Sequence, residues 1–350
     1  MARGQTRDRL ADLKREITIA GGGLAGLSLA VALRRHEVPV TVLEVGNYPR
    51  HRVCGEFISG VSGETLTALG IAELFEDARR HRSLGWHESG RLIHRDHFND
   101  PALGISRFCL DARLKDLLEA LGGTVRTGTR ARPEPRDGLV WTAGRRPRTG
   151  QWLGLKAHIR NLPMTTDLEM HVGTNGYAGL AEVEDGWTNV CGLFQIDRSL
   201  PASGADLLPA YLDAGGNQKL AAALRDGEWR LGSFSAVAGF ELGHQPPLPG
   251  LLALGDAESM IPPFTGNGMS MAFQAAECAL APLVAWSRDR QSWQDATNSA
   301  RTAVSRKFKR RLATAALLHP ILLNPCGRTV LQNLAAARLL PFQAMLSLIR

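Results

Sequence analysis

The chain is poor in cysteine and tyrosine, and both scarcities exclude chemistry. Its five cysteines, Cys54, Cys109, Cys191, Cys278 and Cys326, are an odd number with no C-x-x-C pair. That argues against a disulfide framework, a zinc site and a redox dithiol, so no metal is expected, and it fits a reducing cytoplasm. The three tyrosines, Tyr48, Tyr177 and Tyr211, are followed four residues on by Arg52, Ala181 and Gly215. A short-chain NAD dehydrogenase needs Lys at that spacing, so that class is set aside. The start of the chain is rich in Arg and has no apolar h-region, so a secretory signal is not expected. From Leu312 the tail reads as apolar helix cut by Pro320, Pro325 and Pro341, and its pieces fall short of the roughly 20 residues of a membrane span.

Positive charge is plentiful, with a net +7. Seven arginines fall between Arg126 and Arg148, and six basic residues between Arg301 and Arg311. Neither run is interleaved with stacking aromatics, so nucleic acid is not an expected partner. Solvated surface accounts for such runs, as does attraction to an anionic cofactor or an anionic membrane surface. The basic stretch 306–311 precedes apolar helix, which suits peripheral membrane contact.

With 350 residues, the chain can form one large or two closely packed domains. Glu16–Ala20 is a short apolar run that stops at three glycines, Leu24–Arg35 has helical spacing, and Val38–Glu44 is a second strand. Strand, glycine turn, helix and strand form a βαβ unit. Leu110–Leu121 is a helix with leucines on one face and Asp111, Lys115, Asp116 and Glu119 outside it. Residues 126–150 are loop, apart from a strand at Leu139–Thr142. Strands follow at Leu153–Ile159, Leu168–Val172, Tyr177–Val183 and Trp187–Phe194, the last two joined by Asp185-Gly186, a hairpin signal. Leu251–Leu254 is again a buried strand, and a long apolar helix runs from about Asn267 to Trp286. Residues 1–15 read as a frayed or helical lead-in.

Two glycine loops carry the chemistry. Gly21, Gly23 and Gly26 form G-x-G-x-x-G, with Leu24 and Ala25 opening the helix. Gly21 permits the tight turn, Gly23 lets a diphosphate approach the backbone, and Gly26 lets helix pack on strand. Glu44 ends the second strand where a carboxylate can hold ribose hydroxyls, which favours FAD or NAD over NADP. The second loop, Pro262–Met269, follows a strand that ends at Gly255-Asp256. Asp256 suits a ribityl hydroxyl. The stretch Pro263, Gly266, Asn267, Gly268 and Met269 would bring backbone N–H groups and a helix N-terminus to a flavin ring edge. NAD needs no second loop of this kind, so FAD is the expected cofactor.

The pairing of these loops resembles flavoproteins of the hydroxybenzoate-hydroxylase fold, and more closely the geranylgeranyl-reductase-like FAD oxidoreductases. The resemblance is carried by Tyr48–Ser59 (YPRHRVCGEFIS) and Ile261–Ala272 (IPPFTGNGMSMA) and covers most of residues 16–290. Ser106-Arg107 with Leu110-Asp111 looks like the family's segment where an Arg lies near the FAD, and 154–158 and 176–180 look like strands of its substrate sheet. The resemblance implies an α/β protein: a Rossmann-type FAD domain (1–84, 105–150 and 246–300), an inserted antiparallel substrate sheet (85–104 and 151–245), and a helical tail (301–350). It places Cys54 and Gly55 in a loop facing the flavin. There the Cys54 thiol either relays a proton or polarises substrate, or it simply packs. Arg52 either meets phosphate or lies on the surface. His158 and Tyr177 are candidate polar groups over the flavin, although strand residues can face either way. Cys109, Cys191 and Cys278 read as core. Between the 110–121 helix and the sheet the chain is shorter than the family, and Leu139–Gly144 (LVWTAG) replaces its Asp-Gly motif. The implied reaction is two-electron reduction or dehydrogenation of an apolar substrate at flavin N5, with NAD(P)H as a transient donor. Monooxygenation on the same fold is the alternative, and a non-catalytic flavin- or lipid-binding protein is a third reading.

Overall fold

The computed structural model describes residues 14–349, so most of the lead-in lies outside the described residues. A parallel sheet in the order β15-β7-β1-β2-β6 forms the first layer. Its strands are β1 (Ile17–Ala20), β2 (Val40–Leu43), β6 (Thr124–Arg126), β7 (Leu139–Trp141) and β15 (Leu252–Ala253). Helix α1 (Leu24–Arg35) follows β1 and is apolar almost all round, with Leu27, Leu29 and Leu33 fully buried. Each such leucine contributes about 1.5–3 kcal/mol. A helix buried on so many faces needs cover, and α6 (Gly268–Ser287) and α3 (Arg107–Ala120) supply it. The apolar run of α6 is thus a core feature.

The second sheet is nine-stranded. It contains β3 (Phe57–Ile58), β4 (Arg79–Glu88), β5 (Arg91–Gly104), β8 (Trp152–Arg160), β9 (Leu168–Val172), β10 (Gly176–Glu182), β11 (Thr188–Gln195), β12 (Glu228–Trp229) and β13 (Ser235–Ala238). The expected β8–β11 strands stand where the alternation put them. Asp185 and Gly186 both take positive φ (58° and 72°) in the hairpin, as the turn type demands. Helices α4 (Leu207–Ala214) and α5 (Gln218–Asp226) pack over one face of this sheet, burying Leu208, Leu212 and Leu224 against Leu155 and Val190. A short ribbon, β14 (Gly243–His244) with β16 (Ser259–Met260), completes the strands, and helix α2 (Gly63–Ala68) packs against α6.

Three sequence expectations change. The hairpin β4–β5, turning at Ser89-Gly90, was not legible as strands. It is rich in Arg and His, and its register shifts between His81 and Ser83, where Phe98–Pro101 have no partner in the ladder. A break there suits Pro101, which cannot donate to the ladder. The domain boundary at 84/85 therefore falls inside β4, and that at 300/301 inside a helix. Helix α7 (Trp293–Leu323) also runs past Pro320. The proline sits in the last turn, where the helix forgoes one bond, to Ala316 O, and ends three residues later. Pro325 instead opens α8 (Pro325–Ala336) behind an Asn324 cap, and Pro341 precedes α9 (Phe342–Leu348).

Candidate active site

The first glycine turn is shaped by β7. A Cβ on Gly21 would lie 2.4 Å from Thr142 O, and Gly21 has φ +107°. A Cβ on Gly26 would lie 2.1 Å from Gly21 O. Thr142 Oγ1 donates among the carbonyls of Ala20 (3.0 Å) and Gly21 (2.6 Å), sealing the turn where the family carries its Asp-Gly motif. Gly23 differs, because its Cβ direction is open except for the Arg107 guanidinium at 3.9 Å. Two glycines are thus required by crowding and the third borders free space at a helix N-terminus. That is the cradle a diphosphate needs.

Charge around this space is positive and ordered. Asp111, fully buried, accepts a bidentate pair from Arg107 (2.7 and 2.9 Å) and a third bond from Arg52 Nε (2.8 Å). Two guanidinium groups are thereby held beside the turn. Asp111 is accordingly inside the protein rather than on the outer helix face. Glu44 Oε2 accepts from Gly22 N (2.7 Å), while its Oε1 accepts from Gly46 N (2.9 Å) and Arg50 (2.7 Å). Leu24, Ala25 and Met269 are buried, so only their backbone can serve a ligand.

The turn at Gly255-Asp256, which leads to the second loop, meets the first helix directly, since a Cβ on Gly255 would lie 3.1 Å from Ala25 Cβ. Gly266 takes φ +66° and its Cβ direction is filled by the Phe57 ring at 2.2 Å, whereas Gly268 borders open space. Asn267 donates to Thr265 O (2.8 Å), and its Oδ1 has no partner. Asp256 faces the cleft. Enclosure by protein pushes its carboxyl up, against the pull of Arg107, Arg145 and Arg52. These features fit FAD along both loops: room at Gly23 and Gly268, an unpartnered acceptor at Asn267, and cations where phosphate would lie.

Beyond the second loop opens an apolar cavity of about 260 Å³. Cys54, Gly55, Asp256, Pro263 and Arg145 line one end. Trp86, Met170, Tyr177 and Leu193 of the sheet form a wall, and Leu318, Leu322 and Leu346 of the C-terminal helices form the cover. Tyr177 accepts from Phe264 N (3.3 Å) and lies 3.3 Å from His319 Nε2, tying sheet, loop and α7 together. Burial pushes the Tyr177 phenol up. It also pushes the Cys54 thiol up, despite Arg107 beside it, so Cys54 is a protonated thiol at neutral pH. Cys191, expected in the core, lines this cavity instead. Of the aromatics on this sheet, Tyr177 reaches the cavity, Trp152 packs behind it, and Phe194 turns away onto Tyr211 (5.2 Å).

His158 is not over the cavity. It is fully buried behind the Cys54 loop, with Nε2 2.5 Å from Glu56 Oε2. Glu56 Oε1 accepts from Arg107 N (3.0 Å) and lies 3.3 Å from Lys156 Nζ, whose other neighbour is His51 Nδ1 (3.0 Å). Burial raises the Glu56 carboxyl, but His158 and Lys156 outweigh it and hold it below its ordinary value. Sequence reasoning missed Glu56, Lys156, Asp111, Arg145 and the helical cover. A lysine inside the apolar strand 152–160 was the available signal for the first pair.

Known proteins bear on this geometry in two ways. Residues 16–77 match the family described as pyridine nucleotide-disulphide oxidoreductase, which is the unit holding the first turn. The whole chain resembles a p-nitrophenol 4-monooxygenase from Pseudomonas putida (TM-score 0.74, 14% identity, 96% of this chain and 97% of that one). It likewise resembles a geranylgeranyl bacteriochlorophyll reductase-like protein from Thermoplasma acidophilum (TM-score 0.73, 16% identity, 95% of each). A menaquinone reductase of Mycobacterium tuberculosis is 23% identical over 195 residues, 49% of this chain and 46% of that protein. The chain spans about half the length of the curated relatives it matches. The fold is therefore the one shared with these two flavoprotein-type structures, as the sequence resemblance implied.

Proposed function

We propose that the chain binds FAD noncovalently and reduces or dehydrogenates an apolar, prenyl- or polyketide-like substrate. The observation that carries this reading is the apolar cavity that opens directly onto the second glycine loop and Cys54. Bound FAD would supply hydride exchange at N5. Arg52 and Arg107, fixed by Asp111, would neutralise its diphosphate, Glu44 would hold the adenosine ribose, and Asp256 the ribityl chain. The N-terminus of α6 would place positive potential at the ring edge. Cys54 holds a proton at Sγ at the cavity end, available as a general acid. The sheet and the C-terminal helices exclude water. One dinucleotide fingerprint leaves any NAD(P)H to bind transiently.

The test is the visible spectrum of the purified protein, followed by anaerobic bleaching with NADH and NADPH. Product mass then decides the reaction. A change of two hydrogens supports the reading. One labelled oxygen from O₂ would assign the chain to monooxygenation, the second reading, which the likeness to the p-nitrophenol monooxygenase favours. A yellow protein that no donor bleaches would overturn both and leave a flavin-binding protein without catalysis.

Our reading also includes peripheral contact with a membrane. Leu317, Val330 and Leu348 on the C-terminal helices that cover the cavity, and Leu339 between α8 and α9, are exposed, and Arg306, Lys307, Lys309 and Arg310 lie in water on α7. An apolar substrate and an anionic bilayer suit such a cover. The unpaired cysteines suit the cytoplasmic side of that membrane.

A further inference from the structure

His87 of β4 and Glu169 and His171 of β9 converge on one face of the sheet, and Glu169 also borders the cavity. The two strands pair in parallel with Gly85 opposite Glu169 and His87 opposite His171. The period of two then puts all three side chains on one face and cavity-lining Trp86 and Met170 on the other. All three are buried, at 6%, 4% and 6% exposure. The imidazoles stack with centroids 4.6 Å apart, and one nitrogen or oxygen from each residue lies within 4.8 Å of the others.

Hydrogen bonding alone serves this cluster poorly. Glu169 Oε2 pairs with His171 Nε2 at 2.8 Å, but His87 Nε2 is 3.6 Å from Glu169 Oε1 and 3.5 Å from Thr165 Oγ1, at or beyond useful reach. His171 Nδ1 has no partner. Meanwhile Thr165 donates twice to Glu169 Oε1, from N (2.5 Å) and Oγ1 (2.8 Å). That orients the carboxylate as an outer-shell partner orients a metal ligand.

We propose that His87, Glu169 and His171 form a binding site for one zinc-type divalent transition ion. Two imidazoles and one carboxylate are a common zinc set, with bonds of about 2.0–2.2 Å. Ligand atoms at such bond lengths stand about 3.3 Å apart in a tetrahedron, so the three atoms, now within 4.8 Å of one another, draw together on binding. Water completes the fourth position. Two nitrogen ligands disfavour magnesium and calcium. The ion would clamp β4 to β9 directly behind Trp86 and Met170, and the site stands independently of the flavin reading.

The FAD-loaded full chain is stripped with chelator, incubated with zinc chloride, gel-filtered, and assayed for zinc content, X-ray absorption and Tm. One zinc per chain is expected, with nitrogen and oxygen scattering that includes two imidazoles, and a raised Tm. His87→Gln and His171→Gln should each lose the zinc and the Tm gain. A wild-type chain that elutes without zinc overturns the site, as does sulfur in the zinc shell or stoichiometric zinc retained by a folded His87→Gln chain. Should both variants fail to fold, the wild-type zinc content and its absorption spectrum decide alone.

Discussion

Glu56 and His158 share a hydrogen bond of 2.5 Å in a place neither can reach water. Glu56 takes φ +56°, a conformation that costs a non-glycine residue about 1–2 kcal/mol. Its carboxylate offsets this by joining the Cys54 loop to β8 through His158 and Lys156, and to α3 through Arg107 N. Glu56→Gln keeps the shape but leaves Lys156 without its counter-ion. It should destabilise the fold by about 3–5 kcal/mol, measured by urea unfolding. Adding Lys156→Met should recover part of the loss. Unchanged stability in the single variant would mean the pair is not charged.

Gly23 and Gly21 should fail differently. Gly23→Leu projects into open space beside Arg107, so the chain should fold yet lose yellow colour. Gly21→Leu meets the backbone of Thr142 and should lower Tm even without cofactor. A folded Gly23→Leu protein with stoichiometric FAD would show that the diphosphate lies elsewhere.

Cys54→Ser addresses the proton. As the thiol is protonated, its removal should slow turnover by about 10²–10⁴-fold with FAD affinity nearly unchanged. A change in Tm without a change in rate would reduce Cys54 to packing.

Acid should loosen the protein before the carboxylates titrate. Burial lowers both His51 and His319 to about 4. A histidine with a depressed folded pKa contributes stability above its unfolded value of about 6.5, lost as pH falls from there toward the folded value. Glu56, also lowered, adds to the loss further down. Tm should be level from about pH 8 to about 7 and fall below about 6.5. His319→Gln should flatten that fall, and an equally steep fall in the variant would remove His319 from the account.

Vesicle cosedimentation tests the membrane reading. Binding to anionic vesicles at low salt should weaken with added salt and with Leu317→Asp or Leu339→Asp. No binding at low salt, where attraction is strongest, would end the idea.

Local pattern determined much of this protein. The glycine turn, the flanking strands, the 152–195 strand set and the second loop were legible because apolar period and turn chemistry are properties of neighbouring residues. Even the need for glycine at 21 and 26 was readable, although the atom that enforces it at 21, Thr142 O, lies 121 residues away along the chain. What only the tertiary structure decided were the long-range pairings of charge and facing. Asp111 looked like a surface acid until Arg52 arrived from another segment, and His158 looked like a cavity residue until Glu56 claimed it. The Arg- and His-rich β4 and β5 hid their pairing because burial of polar side chains depends on partners far along the chain. The tail read as broken helices, and packing alone turned it into the cover of the cavity: a helix's apolar stripe shows that it must be buried, not against what.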